Sequence, residues 1–149
     1  MEYEVKDAGL ARELEMRGIG FSKDGKYYVD VLQAAYLTEI GKASFPDAIE
    51  RVNSDQKLTR VYAVFKDLRK RMHVANYVEK DDIILVYEKG MIPKHAESKF
   101  AVKVVEDEKM MLEEMVRLRD KIRKVRKDFI IAVVNGPDIA YYKFQEIEI

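Results

Sequence analysis

The sequence predicts an α/β (α+β) chain. A small N-terminal α/β module, residues 1–53, precedes a second module, residues 57–149, built of a helix, several strands, a long helix and a hairpin. Three observations carry this reading. Segments with apolar residues at helical spacing alternate with short runs of β-branched and aromatic residues. Asp24-Gly25 sits between two β-type runs, where a tight hairpin needs residues that accept positive φ. The polar, turn-prone run Asn53-Ser54-Asp55-Gln56 interrupts the pattern between the modules.

The elements follow in order. Residues 8–17 form a short helix, stopped by Gly18 and Gly20. Residues 21–29 form a hairpin with its turn at Lys23-Asp24-Gly25-Lys26. Asp30 is placed to cap a helix in which Val31, Leu32, Ala35, Tyr36 and Ile40 share a face and Gly41 ends the run. Phe45-Pro46 opens another short helix over 47–52. Asp55 caps the next helix, where Leu58, Val61, Phe65 and Leu68 line up on one side.

Residues 73–78, 83–87 and 100–105 then read as strands, with Phe100, Val102 and Val104 on one face. A helix over 109–127 carries the stripe Met111, Met115, Leu118, Ile122 and Val125, which reads as core. Residues 129–134 form a buried-type strand. Asn135-Gly136-Pro137-Asp138 is a turn, and 139–144 return as a strand.

Composition narrows the chemistry. Charged residues make up 36% of the 149 residues, with 27 basic and 27 acidic side chains. That balance suits ion-pair networks and argues against nucleic-acid binding by bulk positive charge, while leaving room for a local basic patch. Cysteine is absent and there are two histidines, so thiolate chemistry and a histidine-dominated metal site are not expected. No apolar run approaches the ~20 residues of a membrane span. A charged N-terminus without a signal-like segment points to a cytoplasmic protein. No metal or cofactor is expected: Glu79, Asp81 and Asp82 are clustered, but on extended backbone they alternate faces.

Four stretches, in order, resemble the archaeal tRNA-splicing endonuclease family. Residues 31–42, VLQAAYLTEIGK, are similar to the family's "EALYLLERGK". Residues 61–71, VYAVFKDLRKR, are similar to "VYKDLRDRG". Residues 85–90, LVYEKG, are similar to "RVYERG". Residues 125–142 look like "VRKKLLLAIVD…GDIVYY". The resemblance implies a restriction-endonuclease-like C-terminal domain, with a central mixed sheet flanked by helices. In active members it implies metal-free cleavage of precursor tRNA: a ribose 2′-OH attacks the adjacent phosphate, a Tyr is general base, a His general acid, and a Lys stabilises the charge on the phosphoryl oxygens. The products are a 2′,3′-cyclic phosphate and a 5′-OH end. Proton transfer and a fixed cation supply such rate enhancement without a metal.

Carried over residue by residue, Tyr87 matches the motif tyrosine and Lys127 the motif lysine. The histidine of "HSKYLVHVV" falls on Glu97, in the stretch ESKFAVKVV of residues 97–105. Tyr87 and Glu97 stand at the family's usual separation. A carboxyl is a poor replacement, because its ordinary pKa of about 4.3 leaves it without a proton at neutral pH. His95 substitutes only if the loop shifts by two residues; otherwise it is a solvated loop histidine. The family's glycine-rich approach to the tyrosine is replaced by residues 77–83, which bring three carboxylates near the site. The family's substrate-gripping Arg falls on Asp120, beside Arg119. Lys127 is also explained by a helix C-terminus, which favours cations. The basic positions among 117–127 alternate with acids and read first as a solvated face.

These departures make the chain an expected structural subunit of a heteromeric tRNA-intron endonuclease, a heterotetramer with a catalytic paralogue. Asp138 is a turn residue; the resemblance gives that loop a docking role. The C-terminal strand, with Tyr142, Phe144 and Ile147, is the expected self-association surface. The alternative is an active homomeric endonuclease using Tyr87, His95 and Lys127. A lone RNA-binding module is a third reading.

Overall fold

The computed structural model describes residues 2–124, 127–145 and 147, with the side chains of 119–124 outside that description. The expected stripe positions Ile122 and Val125, the basic positions within 119–126, Asp120, Glu146 and Ile149 therefore lie outside the described side chains.

The N-terminal part is a three-stranded antiparallel sheet in the order β1-β3-β2, with β1 (Glu2–Glu4), β2 (Phe21–Lys23) and β3 (Lys26–Asp30). Asp24 and Gly25 both take positive φ, 53° and 77°, as the two-residue turn of a right-twisted hairpin demands. Strand β1 was not expected; three residues are too few to show a period, and it forms by pairing Glu2 to Glu4 with β3. Helix α1 (Ala8–Met16) is capped by Asp7.

Helix α2 (Val31–Glu39) starts at the expected Asp30, in a reciprocal capping box with Gln33. The same two side chains reach the sheet of the second module. Asp30 Oδ2 accepts from the backbone N–H of Tyr77 at 2.8 Å, and Gln33 Nε2 donates to the carbonyl of Ala75 at 3.1 Å. They thus satisfy the backbone of an edge strand that would otherwise be open to another chain.

Helices α3 (Pro46–Ser54) and α4 (Gln56–Lys70) meet at Asp55, which ends one and caps the other. The expected linker at 53–56 is thus a tight joint, tied further by Thr59 Oγ1 donating to the carbonyl of Val52. Leu58, Val61, Tyr62, Val64, Phe65 and Leu68 form the buried face of α4. At its C-terminus, Met72 adopts φ 72° while His73 N–H bonds the carbonyl of Leu68. This is the left-handed closure that glycine makes at least cost.

The second sheet has five strands in the order β4-β5-β6-β7-β8: β4 (Ala75–Val78), β5 (Ile83–Val86), β6 (Phe100–Val105), β7 (Asp128–Asn135) and β8 (Asp138–Phe144). Only β6 and β7 run parallel; α5 (Glu108–Lys124) makes the crossover that a parallel pair needs. The sheet is therefore the mixed, helix-flanked sheet expected.

Alternation divides its faces. Ile84, Val86, Val102, Val104, Ala132 and Val134 join the core with α2, α3 and α4, which runs from Val5 to Val134 through both modules. Ala101, Val105, Phe129, Ile131 and Val133 meet α5 through Leu118, Met111 and Met115. The hydroxyl of Tyr141 in β8 donates to Asp67 of α4 at 2.6 Å, joining two of the stretches that carry the family resemblance.

The segment 79–82 departs from expectation. It is not extended; Glu79–Asp81 form a 3-10 turn and Asp82 takes φ 51°. Glu79 pairs with Arg51, Asp81 is exposed, and Asp82 turns inward.

Candidate functional site

Topology gathers the motif residues at one end of the second sheet. Strand β5 runs antiparallel to β6, so its last residues lie beside the first of β6, with Val86 opposite Phe100. Strand β7 runs parallel to β6 and starts at Asp128, also level with Phe100. Tyr87 just past β5, residues 97–99 just before β6 and Lys127 just before β7 therefore converge. Backbone bonds fix them: Lys99 N–H to the carbonyl of Val86 and Asp128 N–H to the carbonyl of Lys99, both at 2.9 Å.

The side chains then diverge. Lys127 Nζ donates to the Oγ of Ser98 at 2.6 Å and to its carbonyl oxygen at 2.9 Å. Ser98 is buried, and Lys127 half-buried. Tyr87 is half-buried and lines a groove of about 530 Å³ with Asp30, Gln33, Asn76 and Pro93, between the N-terminal sheet and β4. Burial pushes its phenol above the ordinary range, and a hydrogen bond with Asn76 pulls it partly back. Lys127 lines a different cavity, under α5. His73 donates from Nδ1 to the carbonyl of Tyr87 at 2.7 Å and stands edge-on to Phe100.

His95 lies in a turn closed by its own N–H to the carbonyl of Ile92. Its ring is exposed and has no hydrogen bond or ion pair among the described residues. The turn is held on the N-terminal module at Gly18, where an added Cβ would stand 2.7 Å from Cδ of Pro93. Glu97 is exposed and likewise has no side-chain partner among the described residues. An exposed ion pair between Lys99 and Glu88 spans the same end of the sheet at 2.7 Å.

Two polar centres were missed from sequence. The first joins Asp82, Lys103 and Tyr77. Asp82 accepts from the Tyr77 hydroxyl at 2.6 Å and from Lys103 Nζ at 3.0 Å, all three being buried. Exposed Lys57 adds a third contact at 3.0 Å. Burial opposes the charge of Asp82, but these partners outweigh it and hold the carboxyl below the usual range. The signal was a lone lysine inside the apolar run of β6, which needs a carboxylate partner to be buried. The second centre is Asp30. Burial pushes it up to about 7 against the backbone amides of Gln33, Tyr77 and Leu32, which favour its charge.

At the C-terminal side, Asp138 is exposed at the start of β8. Tyr142 is 42% and Ile147 75% exposed, while Phe144 packs edge-on against Phe129. Strand β8 is an edge strand of the sheet.

The model of the tRNA intron endonuclease catalytic C-terminal domain matches residues 58–141, more than half of the chain. The tRNA-splicing endonuclease of Methanopyrus kandleri is 30% identical over 145 aligned positions, covering 87% of this chain and 80% of that protein. That of Thermococcus kodakarensis is 29% identical over 145 positions, covering 89% and 84%. That of Pyrococcus horikoshii is 26% identical over 159 positions, covering 98% and 91%. With the mixed sheet between α4 and α5, these matches place the chain: it belongs to the tRNA intron endonuclease family.

Proposed function

We propose that this chain is the structural subunit of a heteromeric tRNA-splicing endonuclease, acting on precursor tRNA together with a catalytic paralogue. The observation that carries the reading is at the general-acid position. Glu97 stands where the motif has histidine, and it is exposed, with no side-chain partner among the described residues. Cleavage by 2′-OH attack leaves a 5′-oxygen that must take a proton as its bond to phosphorus breaks. The motif's imidazole is suited to giving that proton near neutral pH, and a carboxyl group is a poor replacement for it. The other two family positions face different spaces: Tyr87 lines the inter-module groove with Asn76, and Lys127 lines the cavity under α5, held by Ser98.

In this reading the chain presents docking surfaces. The free edge of β8, with exposed Tyr142 and Ile147, pairs with a strand of a neighbouring subunit, and the turn at Asp138 docks electrostatically. The test is complementation with an intron-containing precursor tRNA. The purified chain alone should not cut it, and adding the catalytic paralogue should restore cutting with 2′,3′-cyclic phosphate ends. Cutting by the chain alone, abolished by His95→Ala, would establish a homomeric enzyme instead.

A further inference from the structure

Helix α5 covers the sheet over β6 and β7 and leaves part of β5 uncovered, and a cavity of about 690 Å³ opens there. Its floor is apolar, with Ile83, Leu85, Ala101 and Phe129. Its charged lining is unbalanced among the described residues: Lys57, Lys80, Lys103, Arg117 and Lys127 stand against Asp81 and Asp82. The whole chain has zero formal net charge, so this excess is a local concentration and not a reflection of composition.

The existing contacts do not neutralise it. Asp82 serves both Lys57 and Lys103. Arg117 is paired with Glu114 on its own helix. Lys80 is exposed with no ion pair or hydrogen bond among the described residues. Lys127 donates to two neutral oxygens of Ser98 and has no acidic partner among the described residues. Cations held above an apolar floor fit a single-stranded polyanion whose phosphates take the rim and whose bases lie against the apolar wall. The cavity also shares Lys127 with the converging end of β5, β6 and β7, so a strand of RNA laid across that end continues into it.

We propose that this cavity is a binding groove for the backbone of single-stranded RNA, through which the chain grips precursor tRNA without cutting it. The inference rests on the reading that the assembly processes precursor tRNA. It adds that this subunit contacts the RNA directly, through Lys57 and Lys80 besides Lys127.

The experiment measures binding of the full-length chain, without its partner, to an intron-containing precursor tRNA transcript over a series of salt concentrations. The wild type is compared with Lys57→Gln/Lys80→Gln and with Lys70→Gln, an exposed lysine on α4 outside the cavity. Each lost phosphate contact reduces the slope of log K against log salt by about 0.7 to 0.9. The double variant should therefore lose about 1.5 from the slope, while Lys70→Gln keeps that of the wild type. Absence of wild-type binding, or the same slope in both variants, overturns the proposal. So does a double variant that binds RNA normally but no longer assembles with the catalytic paralogue, because the groove then receives protein. Complementation of cutting is scored separately, so failure of the subunit assignment remains distinguishable from failure of the groove.

Discussion

The ammonium of Lys127 lies 2.6 Å from the hydroxyl of Ser98 and 2.9 Å from its carbonyl, tying the start of β7 to the start of β6. The position that the family resemblance assigns to phosphate stabilisation is thus also a structural pin. Hydrogen bonds to a charged group contribute about 1.5–3 kcal/mol. Ser98→Ala, which removes one of the two, should cost about 1–2 kcal/mol in urea denaturation. In the reconstituted complex Lys127→Met should leave the chemical step of cutting within about twofold, measured by single-turnover cleavage at saturating complex. A loss of a hundredfold or more would mean that Lys127 meets the reacting phosphate, because removing one electrostatic stabiliser costs about that much.

Lys103 gives a second prediction. It and Asp82 are each 10% exposed in their side chains and 3.0 Å apart. Removing one member of such a pair costs about 3–5 kcal/mol, because the other is left charged and buried. Tyr77 and exposed Lys57 still reach Asp82, so Lys103→Met should fall at the lower end, about 3 kcal/mol. The Asp82 carboxyl is held below its ordinary range, so its contribution is present above that range and lost as pH falls through the folded pKa. Acid titration of the wild type should show this loss, and Lys103→Met should reduce it.

Met72 gives a third. It is 75% exposed and held at φ 72°. The left-handed region costs a residue with a Cβ about 1–2 kcal/mol, and glycine adopts it freely at some cost in chain entropy. Met72→Gly should raise stability by about 1 kcal/mol, read as a higher midpoint in thermal or urea unfolding. An unchanged or lower midpoint would mean that the methionine side chain makes up the backbone cost through its own contacts.

Local signals located most of these elements, and long-range geometry supplied what they omitted. Asp24-Gly25 fixed a hairpin because few residues accept two successive positive φ angles. Asp30, placed as a cap ahead of an apolar face, announced the start of α2, and one apolar face announced α4. The same reasoning placed 79–82 on extended backbone, since nothing local reveals that Asp82 turns inward to a lysine on β6, 21 residues away. At the candidate site, the sequence identified Tyr87, Glu97 and Lys127 individually. Their meeting at one end of the sheet depends on β6 and β7 being parallel. Tyr87 and Lys127 nevertheless line different cavities, one against the N-terminal sheet and one under α5. Ser98 was passed over because a serine beside a motif position carries no pattern of its own.

Asp30 makes the pH dependence of stability specific. Its carboxyl is pushed from an ordinary 3.8 to about 7, with burial the largest cause. A raised carboxyl favours folding while it holds its proton. Its contribution is complete below about pH 4, declines as pH rises, and is gone above about pH 7. Three units correspond to about 4 kcal/mol at 1.36 kcal/mol each. Other carboxylates act in the opposite direction, so the informative quantity is the difference from Asp30→Asn. Asparagine still caps α2, while it removes the titration and one of the two side-chain oxygens that accept from backbone N–H groups. The variant should be less stable than the wild type at pH 4 and should gain on it steadily up to pH 7, as measured by urea midpoints across that range. Parallel midpoints across the range would mean that the amides of Gln33 and Tyr77 keep Asp30 ionised. The joint between α2 and β4 would then be held by a buried charge and not by a proton.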